Sequence, residues 1–278
     1  MTANSAPEYS RTSVDFQTLA KKLEIPFAEG APIGNHFEFL NSAKADIAVS
    51  INYTGVISQN VIDLFPLGIL NAHGGDLPRY RGNACQAWAI LNGEKRIGLC
   101  IHRMVGGELD SGDILAKSYL PIDNTTKVSA VWDWMVRATP ALMVESVNRL
   151  AADPGYVLER QSKDQKDALR CYPRRPEDGR INWDRTALDV LRLINASNKP
   201  YAGAYCEYEG RRMTIWDAAL LEDGEVFYAV PGQVTRVAQG HVEVACGSGK
   251  LIIRKVQRDG DVESAPSLYI SSIRKRLT

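Results

Sequence analysis

The sequence predicts an α/β domain built on a parallel sheet, followed by a small β-barrel. Three observations predict this. Short, nearly all-apolar runs such as Ala45–Ile51 and Leu67–Leu70 alternate with helical patterns, the texture of strands buried on both faces. Residues 160–180 are polar and charged, carry Pro173 and Pro176, and read as a linker. Beyond Pro200, short strand patterns recur between turn dipeptides such as Glu209-Gly210 and Gln239-Gly240.

Composition narrows the class. The chain has 278 residues, 33 Lys+Arg against 33 Asp+Glu, and 45% hydrophobic residues. That length fits one large domain, or a domain plus a smaller one, and can bury a core without staples. Zero net charge argues against bulk electrostatic binding of nucleic acid, while leaving local basic patches open. No run is long and apolar enough to span a bilayer, so no membrane partner is expected. The first ten residues lack the basic start and apolar centre of a signal peptide, which points to the cytoplasm. The five cysteines, Cys85, Cys100, Cys171, Cys206 and Cys246, are scattered, with no Cys-x-x-Cys. They read as buried thiols, neither a disulfide framework nor a metal site.

The elements follow in order. Phe16, Leu19, Ala20 and Leu23 recur at helical spacing, and Pro26 closes that helix. Ala45–Ile51 is a buried strand. Val61–Phe65 is a short helix stopped by Pro66, and Leu67–Leu70 is a second strand ending at Asn71. A helix is expected from Ala84 to Leu91, and strands at Ile97–Ile101 and Ile114–Leu120. Thr126–Leu150 is helical, kinked or broken near Pro140. Asp184–Ser197 is a helix with Leu188, Leu191 and Ile194 on its apolar face. Tyr201–Tyr208, Met213–Trp216, Val234–Val237, Val242–Ala245 and Leu251–Val256 are the strands of the barrel, with Asp223-Gly224 and Ser248-Gly249 among its turns. The expected division is a catalytic domain over 1–172, a linker and helix over 173–198, and a β domain over 199–278.

The densest chemistry is Asn71-Ala72-His73-Gly74-Gly75-Asp76-Leu77-Pro78-Arg79-Tyr80-Arg81-Gly82, placed where a buried strand ends. In open α/β sheets, ligands bind at the carboxyl ends of strands. A second cluster, Gly106-Gly107-Glu108-Leu109-Asp110-Ser111-Gly112-Asp113, also follows a strand and can reach the same edge. An amide, an imidazole and a carboxylate in one crevice suit acyl transfer to an amine. The imidazole takes a proton, the Asn amide donates to an oxyanion, and the carboxylate orients the ring. Each piece alone has a structural explanation as a turn, a helix cap or a solvated arginine. Their joint spacing carries the inference.

Asn71-x-His73, Leu77-Pro78-x-Tyr80-Arg81-Gly82 and Leu109-Asp110-x-Gly112-Asp113 resemble the signature of the folate-dependent formyltransferases. That family includes methionyl-tRNA formyltransferases and sugar-nucleotide N-formyltransferases. Arg175-Pro176-x-Asp178-Gly179-x-Ile181-x-Trp183 and Pro200-Tyr201-x-Gly203-Ala204 are similar to the linker and β-rich tail of those two branches. The resemblance implies a Rossmann-like formyltransferase domain followed by an OB-like β-barrel domain. It implies Asn71, His73 and Asp110 as the catalytic residues, 10-formyltetrahydrofolate as the donor, and no metal. It places the donor's pterin on Tyr53, Thr54, Gly55, Val56 and Ile57, and on Val105, Gly106, Gly107, Glu108 and Leu109. The β-rich tail of this family often helps dimerise, so a homodimer stands as an option. Two departures from the pattern are visible. The family's opening strand–helix–strand unit has no counterpart here, which would expose strand edges. Gly75-Asp76 stands where Ser-Leu is usual.

For the acceptor, residues 199–278 hold 11 Lys+Arg and 10 Asp+Glu, with Arg254-Lys255 and Arg274-Lys275-Arg276 as the basic clusters. A tRNA-gripping domain is expected to carry a basic surplus. The expected acceptor is therefore a nucleotide-linked aminosugar, as in lipopolysaccharide biosynthesis, with nucleic acid unfavoured. Arg79, Tyr80, Arg81, Gly82 and Asn83 are the candidate acceptor residues, through charge-assisted bonds to a diphosphate. Formylation of charged initiator tRNA is the alternative, and a non-catalytic or truncated folate-binding relative a second one.

Overall fold

A computed structural model of the chain describes residues 1–2, 11–53, 55–222 and 224–278. The Thr54 and Asp223 positions singled out above lie outside them. The chain divides into two compact units. One comprises residues 1–85, 98–119 and 134–172, and the other residues 86–97, 120–133 and 173–278.

The elements up to residue 172 are α1 (Ser13–Lys22), α2 (Phe37–Ser42), β1 (Ala48–Ile51), α3 (Gln59–Ile62), β2 (Ile69–His73), β3 (Tyr80–Gly82), α4 (Cys85–Leu91), β4 (Arg96–Arg103), β5 (Ile114–Pro121), α5 (Val128–Ala152) and β6 (Leu169–Cys171). Four strands form one sheet in the order β1-β2-β4-β5. β1 and β2 are parallel, with Ala48 opposite Ile69, whereas β4 runs antiparallel to β2. β2 is covered on both faces, as its apolar run predicts. Ile69 packs with Ile57, Val61, Ile62 and Phe65, and Leu70 packs with Ile101, Leu115, Met143 and Leu150. Successive strand residues point to opposite faces, so adjacent Ile69 and Leu70 serve two different cores.

Three sequence expectations change here. β1 is an edge strand and is not buried on both faces: Val49 and Ile51 are 53% and 55% exposed. α5 runs unbroken through Pro140, because one lost N–H bond is outweighed by packing of Met143 and Leu150 in the core. The polar 160–180 stretch contains β6, which pairs in parallel with β3, Gly82 opposite Cys171. A three-residue strand carries too short a pattern to be read from composition.

In the second unit, α6 (Ala187–Ala196) starts at Thr186, whose hydroxyl accepts the Asp189 N–H at 3.1 Å, an N-cap. It is followed by β7 (Ala204–Tyr208), β8 (Arg211–Leu221), β9 (Val234–Ala238), β10 (His241–Ala245) and β11 (Lys250–Arg258). These form a five-stranded antiparallel sheet in the order β7-β8-β11-β10-β9. Register shifts at Glu243/Val244 and Ile253/Lys255 curl it. The terminal segment then bridges its two edges. Thr278 N–H donates to Glu207 O on β7 at 2.9 Å, and Leu277 N–H donates to Gly232 O, beside β9, at 2.8 Å. Gly232 is required there: its φ is +84°, and a Cβ would lie 2.1 Å from Leu277 O. Trp183, Leu191, Ile194, Ile215, Val244, Ile253 and Leu277 share the core beneath.

Candidate active site

Asn71 and His73 lie within the last residues of β2 rather than beyond its end. Two residues apart on one strand, they project to the same face. β4 sets His102 opposite Asn71 and Cys100 opposite His73. The chain then turns back over the imidazole. A Cβ at Gly75 would lie 2.5 Å from both His73 Nε2 and Tyr80 O, so only glycine fits this turn. Asp110 arrives on the loop between β4 and β5 in a left-handed conformation, φ 49°. Gly112 lets that loop close tightly, since a Cβ there would lie 1.9 Å from Arg103 O.

The result is a buried cluster. Asp110 Oδ2 accepts the Gly82 N–H at 2.9 Å and lies 3.4 Å from His73 Nδ1. His73 Nε2 lies 2.7 Å from Tyr80 O. Asp110 Oδ1 is 3.5 Å from His102 Nε2. His102 Nδ1 lies 2.9 Å from Arg103 O, which assigns its proton to Nδ1. Its Nε2 then accepts from Asn71 Nδ2 at 3.2 Å.

Burial pushes the His73 pKa below the ordinary imidazole value. The Asp110 charge and the Tyr80 carbonyl oppose this, while His102 and Arg81 add to it. For Asp110, burial disfavours ionisation. The charge of His73, the neighbouring His102 ring and the Gly82 N–H outweigh it and hold the carboxyl at about 2. A neutral imidazole beside an ionised carboxylate is the state a proton acceptor needs.

Three neighbours of this cluster escaped the sequence reading. His102 is almost fully buried, and its only signal was a polar residue in the apolar run Leu99-Cys100-Ile101. Gln161, also buried, came from a stretch read as linker. Cys85 Sγ sits 3.7 Å from His73 Nε2 and 3.5 Å from Gly82 O. Contact with Cys171, together with burial, raises the Cys85 pKa and keeps it a thiol. All five cysteines are buried and unpaired in disulfides.

The two segments expected to meet the donor lie together. Gly106 N–H donates to the Gln59 side chain at 2.9 Å, and a Cβ at Gly106 would lie 2.5 Å from Gln59 N. The Tyr53 hydroxyl accepts the Ile33 N–H at 3.0 Å, and Gly55 packs on the Tyr53 ring. Ile57 turns its side chain into the core, leaving only its backbone to a ligand. Val56 and Leu109 are 70% and 37% exposed. Val105 and Gly107 complete the second loop, and Glu108 is bonded to the Ser111 hydroxyl. Backbone amides beside exposed apolar side chains fit a flat heterocycle.

The acceptor candidates separate. Arg79 and Asn83 are exposed. Tyr80 is buried, so its ring offers no stacking surface. Arg81 turns inward to Gln161, Nη2 to Oε1 at 2.8 Å. Gly82 uses its N–H on Asp110. Among the described residues, no group of three or more His, Cys, Asp or Glu side chains is placed to hold a metal, and no helix is long and apolar enough to cross a membrane.

Comparison with known proteins bears on the same residues. The Formyl transferase family model matches residues 35–147, and the formyl transferase C-terminal domain model matches residues 174–273. A methionyl-tRNA formyltransferase of Solibacter usitatus is 33% identical, over 87% of this chain and 75% of its own. The chain belongs to the formyl transferase family.

This formyltransferase is thus a folate-dependent one-carbon transferase, with 10-formyltetrahydrofolate as its donor. Further relatives include the methionyl-tRNA formyltransferases of Clostridium tetani, 32% identical over 79% of this chain and 69% of that one, and of Acetivibrio thermocellus, 29% over 90% and 83%. Solved structures below 25% identity speak to the fold alone. HypX from Aquifex aeolicus in complex with tetrahydrofolic acid superposes with TM-score 0.66 at 18% identity, covering 98% of this chain and 46% of that one. This chain thus spans just under half of HypX. WlaRD, a sugar 3N-formyl transferase, gives 0.64 at 16%, covering 94% of this chain and 87% of that one.

These relatives correct the expected acceptor. Seven of them, 29–33% identical, are methionyl-tRNA formyltransferases, and none of the seven acts by name on a sugar. The nucleotide-linked aminosugar, the place in lipopolysaccharide biosynthesis and the argument against nucleic acid fall together. Charge summed over a domain does not set the field a polyanion meets. A polyanion feels charge within about a Debye length, roughly 8–10 Å, not the total. Arg211 and Arg212 begin β8 beside the Glu209 turn, where Arg258 and Lys275 also act on Glu209. A near-zero sum conceals such a gathering.

Proposed function

We propose that this formyltransferase moves a formyl group from 10-formyltetrahydrofolate to the α-amine of methionine carried on initiator tRNA. The observation that carries this reading is the identity of 29–33% to methionyl-tRNA formyltransferases over 79–90% of the chain. The compartment is the cytoplasm, where charged tRNA is found. Residues 1–172 serve as the catalytic domain, 173–198 as linker and helix, and 199–278 as the β domain.

The donor supplies an activated formyl carbon, held between the 53–57 and 105–109 loops. The amine nitrogen bonds to that carbon, and the carbon–nitrogen bond to the folate breaks. Asn71 commits one N–H to His102 and gives the other to the oxygen that gains charge. His73 carries its resting proton on Nε2, bonded to Tyr80 O, and takes the amine proton at Nδ1. Asp110 then faces an imidazolium and stabilises it. The same proton goes to the leaving folate nitrogen, so the protein ends unchanged.

The test is mass spectrometry of the chain with 10-formyltetrahydrofolate and charged initiator tRNA, with aminosugar nucleotides and His73→Ala as controls. One formyl group gained on methionyl-tRNA, and lost in the variant, is the expected result. Formylation of a sugar nucleotide but not of the tRNA overturns the reading.

A further inference from the structure

Gln161 is a polar side chain only 5% exposed, and it makes four hydrogen bonds. Its Oε1 accepts from Arg81 Nη2 at 2.8 Å and Arg81 Nε at 3.3 Å. Its Nε2 donates to Asp110 O at 2.8 Å and to Gly112 O at 2.6 Å. Both donors and the carbonyl of the amide are therefore engaged in one orientation, and turning the amide over would break every bond. Arg81 fixes that orientation, because a guanidinium only donates. Its Nη2 also reaches Ser162 O at 3.3 Å, the residue after Gln161.

The carbonyls that Gln161 holds flank Ser111 in the loop that needs holding. Asp110 occupies a left-handed conformation, which costs a non-glycine residue about 1 kcal/mol or more and persists only where its surroundings impose it. The Gly82 N–H, one residue from Arg81, secures the Asp110 carboxylate from the other side. Asp110 is thus held at both its main chain and its side chain by groups rooted in Arg81-Gly82 and Gln161.

We propose that Gln161 is a positioning residue for formyl transfer, with Arg81 as its anchor: together they hold Asp110 in register with His73. The inference rests on the proposed function for its rate readout only. It also gives Arg81 an inward task in place of the phosphate contact its sequence suggests. The groups facing His73 are Asp110, His102, Arg81, the Tyr80 carbonyl and Cys85. Among these, Asp110 and Arg81 are bonded to Gln161, and of the two the Asp110 charge acts on His73 more strongly.

The experiment compares wild type with Gln161→Met, which keeps the side-chain length and removes all four bonds, and Gln161→Glu, which keeps the Arg81 contact and loses both donors. The His73 ring is titrated by NMR in the full chain without substrate, and kcat and KM are measured for formylation. In Gln161→Met, His73 is expected to titrate at lower pH than in wild type, as Asp110 drifts from it. Both variants are expected to lose about tenfold or more in kcat, with KM for donor and acceptor within about twofold. An unchanged His73 titration in Gln161→Met overturns the proposal. So does a loss in Gln161→Glu that falls on KM while kcat holds. If Gln161→Met does not fold, the kcat–KM split in Gln161→Glu decides. If wild type formylates neither tRNA nor sugar, the functional reading fails while the titration still decides the role of Gln161.

Discussion

His73 Nδ1 faces Asp110 Oδ2 across 3.4 Å while its Nε2 lies 2.7 Å from the Tyr80 carbonyl, so the ring stands between two acceptors. A neutral imidazole has one proton and satisfies one of them. An imidazolium satisfies both. Burial keeps the ring neutral at rest, and the two acceptors offset part of the cost of charging it.

For His73→Ala, kcat for formyl transfer is therefore expected to fall by about 10²–10⁴. In wild type, the rate should rise with pH and level off below the ordinary imidazole value, because burial lowers the His73 pKa. Initial rates from pH 5 to 8, with the chemical step rate-limiting, check this. A limb centred clearly above the free imidazole value counts against His73 as the proton acceptor.

Asp110→Asn and Asp110→Ala should differ. Asparagine tolerates the left-handed conformation at φ 49° and can still accept the Gly82 N–H, but brings no charge. Its fold should survive, with kcat down about tenfold or more and the acid limb moved to lower pH. Alanine removes the acceptor as well and should also lower the melting temperature. Melting curves beside pH–rate profiles separate the two.

Stability should fall on acidification in two windows. His73 has a folded pKa below its unfolded value of about 6.5, so the unfolded chain binds the proton first and stability drops as pH falls through that value. Asp110 is lowered from 3.8 to about 2, so its contribution is whole above 3.8 and lost as pH falls towards 2. Denaturant titrations across this range should show both, and His73→Gln should remove the first.

Gly82→Ala should be severe although the change is one methyl. Gly82 has φ +107°, and a Cβ would lie 2.3 Å from Cys171 O, across the β3–β6 pair. A loss of about 2–4 kcal/mol is expected, from strain and the broken ladder together. Chemical denaturation measures it, and a loss under about 0.5 kcal/mol would show that the pair opens freely.

With tRNA as acceptor, its KM should rise several-fold between about 50 and about 200 mM salt, while KM for the small donor moves little. Steady-state kinetics at several salt concentrations check the difference. An equal response of both contradicts a polyanionic acceptor.

The sequence made the centre of the site legible because its residues fall in short runs with rigid spacing. His73 precedes Gly74-Gly75 and Asp110 lies two residues before Gly112, glycines whose turns the structure uses, and Asn71 shares the strand face of His73. The supporting residues were hidden for a physical reason. Gln161 and Cys171 act through pairings of three residues or fewer, which leave no periodic trace. His102 works only because β4 runs antiparallel to β2 in one register, and one strand alone does not carry that information. The acceptor is not legible in composition, which reports how much charge is present and not where folding puts it.

The two ends of the β3–β6 pair bear on how the protein comes to be active. Tyr80, Arg81 and Gly82 meet Leu169, Arg170 and Cys171, and Gln161 reaches back to Asp110. These contacts join segments remote along the chain, and closing such loops is the slow, entropically opposed part of folding. The pairing that sets His102 opposite Asn71 joins β2 and β4, which are close along the chain. Asp110 needs a segment that emerges from synthesis some fifty residues later, by the spacing of its bond to Gln161. On the proposed roles of Asp110 and Gln161, catalytic competence is a late property of this polypeptide, acquired after its sheet.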